Sequence, residues 1–78
     1  MTNLDKYNEV FFTNFQANDS QISTLTYQSI PAWDSVGHMG LIASLEEAFD
    51  IMMDTDDIID FSSYEKGKEI LKKYHVVI

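Results

Sequence analysis

The stretch that decides the reading of this chain is Pro31-Ala-Trp-Asp-Ser-Val-Gly-His-Met-Gly-Leu-Ile-Ala-Ser-Leu-Glu-Glu-Ala-Phe-Asp-Ile51, "PAWDSVGHMGLIASLEEAFDI". Its apolar residues Val36, Met39, Ile42, Leu45 and Phe49 recur at helical spacing, with Leu41 beside them. The spacing predicts a helix from about Ser35 to Asp50 with that set as its inner face. Pro31 holds Ile30 extended and keeps the helix from starting earlier. Asp34 and Ser35 are both residue types preferred at a helix N-cap. Gly37 and Gly40 each weaken a helix by about 1 kcal/mol relative to alanine, which fits equally a surface that something approaches closely and plain tolerance of glycine.

The pattern outward from this helix is also helical. Leu4, Tyr7, Phe11 and Phe15, widened by Val10 and Phe12, predict a first helix capped by Thr2 or Asn3 and ended by Asn18-Asp19-Ser20. Residues 16–34 read as a long loop pinned to the core by Ile22, Leu25, Tyr27, Ile30 and Trp33. Thr24 to Tyr27 has strand character, but the sequence offers it no evident partner. Asp54 or Thr55 starts a short helix carrying Ile58 and Ile59. Ser62 and Glu65 stand at capping-box spacing before a last helix with Tyr64, Gly67, Ile70, Leu71 and Tyr74 inside. Lys72, Lys73 and His75 fall at its negative end. The expected fold is all-α: one domain over residues 1–78, three main helices, one short helix, and a long loop between helices one and two.

Bulk properties narrow the function. A chain of 78 residues must use most of its apolar side chains for packing and has little left to wrap a deep catalytic cleft. With no cysteine, it forms no disulfide, zinc-thiolate site or thiol nucleophile. Thirteen acidic residues face five lysines and no arginine, for a net charge of −8. Nucleic acid and anionic membranes repel such a chain; the acidity fits either attraction to basic protein surfaces or solubility alone. No apolar stretch is long enough to span a bilayer. The first residues lack the layout of a signal peptide, and a cytoplasmic location is expected; a monomer without membrane insertion is expected as well.

Three chemistries come into question for this chain: hydrolysis at Ser35, calcium binding over residues 54–65, and attachment at Ser35. Asp34, Ser35 and His38 supply the types of a hydrolase triad, but Asp34 is poorly spaced to reach the far side of the His38 ring, and no Gly-x-Ser-x-Gly elbow is present. Asp54, Asp56, Ser62 and Glu65 match four positions of a calcium loop. Ile58 and Ile59 occupy two positions that such a loop needs for an oxygen ligand and a glycine. No metal site is expected. The third chemistry is attachment: a serine exposed at a helix N-terminus can carry a phosphodiester, because unpaired backbone N–H groups and partial positive charge lie beside it.

The residues Asp34-Ser35-Val36, Leu41-Ile42, Leu45-Glu46-Glu47 and Phe49 resemble the second helix of the acyl carrier proteins. The similarity extends to length, acidity, the long loop, the short third helix and the last helix. It implies a carrier, not an enzyme, whose Ser35 receives 4′-phosphopantetheine from coenzyme A through a magnesium-dependent phosphopantetheinyl transferase. The thiol of that arm would hold acyl groups as thioesters and deliver them to partner enzymes of fatty-acid, modified-lipid or specialised biosynthesis. By the same resemblance Asp34 supports attachment, while Val36, Met39, Glu46, Glu47, Asp54 and Asp57 face basic docking surfaces. Trp33, Val36, Gly37 and Gly40 depart from the housekeeping pattern and point to stand-alone carriers of specialised pathways. An aminoacyl or peptidyl carrier is the near alternative. An acidic helical adaptor, with Ser35 only a cap, is the distant one.

Overall fold

Phe11 is where the chain converges. The structure is a computed structural model that describes residues 2–78; Met1 and the side chain of Asp19 lie outside the described residues. Phe11 is fully buried, with the rings of Tyr7, Tyr64, Trp33, Phe15 and Phe61 centred 5.0 to 6.4 Å from Phe11 or from a ring that touches it. Most of these pairs meet edge to face, the arrangement that aligns ring quadrupoles favourably. This aromatic centre joins the first helix, the loop and the last helix.

The fold is all-α, in the order α1 (Asn3–Phe15), α2 (Asp19–Ile22), α3 (Ser35–Phe49), α4 (Thr55–Asp60) and α5 (Tyr64–Lys72). The three long helices stand where the periodicity puts them. Thr2 caps α1 in a reciprocal box with Asp5, and Gln16 ends it in a left-handed conformation. Tyr7, Val10, Phe11 and Phe15 form its buried stripe, whereas Leu4 and Phe12 flank the stripe and remain exposed.

The long loop differs from expectation in two ways. Asn18, read as part of the end of α1, instead caps the extra four-residue helix α2 by accepting from the Ser20 N–H. Among the described residues there are therefore two short helices, not one. Thr26 also pairs with Ser63 in an isolated antiparallel bridge: Tyr27 N donates to the Ser62 carbonyl at 2.8 Å, and Tyr64 N to the Leu25 carbonyl at 3.0 Å. The strand character of Thr24 to Tyr27 finds its partner in the α4–α5 connection. As expected, Ile22, Leu25 and Trp33 are buried and Ile30 is packed against the core.

Ser63, not Ser62, caps α5 by accepting from Lys66 N, because the Ser62 carbonyl is engaged by Tyr27. The Tyr7 hydroxyl donates to the Tyr64 carbonyl at 2.6 Å, and burial pushes the phenol pKa well above its ordinary range. Tyr74 lies beyond the end of α5, outside the helix expected to carry it. No helix among the described residues is long and apolar enough to cross a membrane.

Candidate functional site

Asp34, not Ser35, is the N-cap of α3. Its Oδ1 accepts from the Gly37 N–H at 2.8 Å, and its carbonyl accepts from His38 N. Ser35 occupies the first helical position, exposed, with its Oγ unused by the backbone. Among the described residues its one hydrogen-bond partner is the hydroxyl of Tyr27, 3.2 Å away. The backbone N–H groups of Ser35 and Val36 have no protein acceptor among the described residues, as expected for the open end of a helix.

Gly37 explains how the loop reaches this point. A Cβ there would overlap the Ala32 carbonyl, so the segment before the cap lies directly against the first turn of α3. Gly40, in contrast, faces open space apart from an ordinary contact with Asn14. The close approach suspected from the two glycines is made by the chain itself, and only at Gly37.

His38 takes the inward position of that first turn. The Trp33 indole Nε1–H can only donate, and it donates to His38 Nδ1 at 3.0 Å. The ring proton therefore sits on Nε2, which donates to the Ile58 carbonyl at 2.8 Å. With both nitrogens engaged, His38 is not placed to take a proton from Ser35, and Asp34 is spent on the cap. The three residues do not form a hydrolytic relay. Nor does the acidic segment form a calcium loop: Asp56 and Asp57 lie within the helix α4, and among the described residues no group of three or more His, Asp or Glu could hold a metal ion.

Beside Ser35 lies an open apolar groove of about 380 Å³ between the start of α3 and α4. Tyr27, His38, Met39, Ile58, Ile59 and Phe61 line it. Val36 and Met39, expected in the core, are instead 81% and 56% exposed, while Leu41, Ile42 and Leu45 are buried. The inner face of α3 is rotated toward His38, Leu41, Ile42 and Leu45. Helical spacing from His38 would have shown this stripe, but a histidine is not counted as apolar.

The acidic residues assigned to docking separate into two kinds. Glu47 and Asp54 are exposed, as are Asp50, Asp56 and Asp60. Glu46 is half-buried and accepts from the Met53 N–H at 2.9 Å, stapling the α3–α4 turn. Asp57 overturns its expected role. It is 4% exposed, with one carboxylate oxygen 2.5 Å from Lys73 Nζ and the other 2.5 Å from the Tyr74 hydroxyl. The Lys73 hydrogen bond, and then that of Tyr74, hold its pKa below the ordinary carboxylate value. Asp57 clasps α4 to the C-terminal segment and is not free to meet a partner.

Comparison with family models, with curated proteins and with solved structures finds no match to this chain.

Proposed function

We propose that the chain is a carrier protein whose Ser35 is the attachment point of 4′-phosphopantetheine. The observation that carries this reading is the division of labour at the start of α3. Asp34 performs the capping, which leaves the Ser35 hydroxyl exposed and available for modification.

The residues present fit such a group. The exposed Ser35 Oγ can bear a phosphodiester without displacing packed atoms. The free N–H groups of Ser35 and Val36 and the positive end of a 15-residue helix favour the negative charge it brings. In attachment, Ser35 Oγ forms a bond to phosphorus as the diphosphate P–O bond of coenzyme A breaks. The serine proton passes to a base on the transferase, and adenosine 3′,5′-bisphosphate leaves. The arm, when bound, supplies the thiol that this cysteine-free chain lacks, on which acyl groups are carried as thioesters. The exposed Val36 and Met39, together with the exposed Glu47 and Asp54, suit a partner whose basic surface carries an apolar contact.

The test is intact mass after incubation with coenzyme A, magnesium and a broad-specificity phosphopantetheinyl transferase. One phosphopantetheine should be added to the parent and none to folded Ser35→Ala. Labelling of that variant would refute Ser35. No labelling of the parent by several transferases would favour the adaptor.

A further inference from the structure

The geometry points to Tyr27 as the positioning residue of the attachment site, holding the root of the arm through its phenol hydroxyl. This rests on the carrier reading of Ser35. Its basis is that the Tyr27 hydroxyl is the single side-chain partner of Ser35 Oγ among the described residues, at 3.2 Å, and has no other hydrogen bond there.

The backbone around Tyr27 is fixed on both sides. Its N–H donates to the Ser62 carbonyl at 2.8 Å, within the bridge that ties Thr26 to Ser63. The next residue, Gln28, adopts φ 68°, a left-handed conformation uncommon for a non-glycine residue, and its N–H donates to the Trp33 carbonyl at 2.9 Å. That bond draws the two ends of the segment 28–33 together and brings Tyr27 beside the residues that begin α3. The Tyr27 ring then stands edge-on to His38, their centres 5.5 Å apart, on the wall of the groove. The loop thus holds this one phenol over Ser35 in an otherwise unfavourable turn.

Modification changes what the phenol can do. In the free protein either hydroxyl can be the donor. Once Ser35 Oγ is an ester oxygen it has no proton, so Tyr27 must donate. The phosphoryl oxygens beside it are negatively charged and accept more strongly than a hydroxyl. Tyr27 acts by positioning, as a hydrogen-bond partner. It orients the serine before attachment and fixes the phosphodiester afterwards, at the groove that Tyr27 and Ser35 both line.

Tyr27→Phe removes only the hydroxyl, from a half-buried ring, and leaves the backbone bridge intact. The second-order rate of arm transfer should fall by about 2- to 10-fold, the range expected for one hydrogen bond between neutral groups. The phosphorus NMR resonance of the attached phosphodiester should also move between modified parent and modified variant. Circular dichroism and thermal midpoint should not change. A merely structural tyrosine would leave the phosphorus resonance in place. If the parent takes up the arm and the variant matches it in both rate and resonance, Tyr27 has no positioning role. If the parent takes up no arm, the carrier reading falls and this inference with it.

Discussion

The Trp33 indole and the His38 imidazole lie nearly parallel, 15° apart in plane, and a 3.0 Å hydrogen bond joins them. Trp33 is fully buried, so its N–H has no water to turn to if that acceptor is lost. His38→Ala should therefore cost about 1–3 kcal/mol for the stranded donor, in addition to the lost packing. The loss is measurable by urea unfolding followed through Trp33, the single tryptophan. Trp33→Ala should cost about 3–5 kcal/mol, a large share of the stability of so small a domain. His38→Gln keeps a polar side chain at this position and should recover part of the His38→Ala loss.

Two glycines separate packing from propensity. A Cβ on Gly67 would overlap Phe61 Cζ and the Tyr7 hydroxyl, both within the core. Gly67→Ala should destabilise by about 1–3 kcal/mol through overpacking, despite the better helix propensity of alanine. Gly40→Ala meets only Asn14 Oδ1 at 3.4 Å and should stabilise by about 0.5–1 kcal/mol. Thermal melts of the two variants should move in opposite directions.

The Asp57 clasp predicts a definite pH profile. The folded pKa of Asp57 is lowered, chiefly by the hydrogen bond from Lys73, so its contribution is fully present above the ordinary value of 3.8 and is lost as pH falls through the folded value. The pKa of Lys73 is raised, chiefly by its hydrogen bond to Asp57, and that of Tyr74 is raised, chiefly by desolvation. Their contributions are present below the ordinary values of 10.5 and 10.0 and are lost as pH rises through the folded ones. Stability should therefore be flat between these limbs and fall on both sides. Asp57→Asn should lower the thermal midpoint at neutral pH and flatten the acid limb. An unchanged acid limb would show that the clasp contributes nothing.

The sequence discloses what is periodic and local here, and conceals what is long-range. Tyr7, Val10, Phe11 and Phe15 repeat at helical spacing, so the inner face of α1 is legible. Counting hydrophobic residues alone rotates the inner face of α3, because His38 holds an inward position and Val36 and Met39 do not. The helix α2 is too short to show periodicity, and its cap Asn18 reads equally well as the end of α1. The bridge between Thr26 and Ser63 joins residues far apart in sequence, which no local pattern reveals. Ser35 and Asp34 are legible as a pair at a helix start. Which of them caps is decided by the Asp34 bond to Gly37, and Tyr27 enters the site only through the fold.

Charge placement predicts where a basic partner approaches. Seven of the thirteen acidic residues lie between Glu46 and Asp60, but Asp57 is committed to Lys73 and Tyr74, and Glu46 to the Met53 N–H. The exposed Glu47, Asp50, Asp54, Asp56 and Asp60 remain to steer association. Glu47→Lys combined with Asp56→Lys should slow arm transfer to Ser35 severalfold at low salt without unfolding the chain, because rim charges act mainly on the association rate. The deficit should shrink as salt rises, since the screening length is about 10 Å at 0.1 M and about 3 Å at 1 M. Glu46→Gln should behave differently. It weakens the staple to Met53 N and lowers thermal stability, yet leaves the salt dependence of transfer nearly unchanged. Equal low-salt rates for the parent and the double variant, both folded by circular dichroism, would mean that these carboxylates are only solvated surface charges.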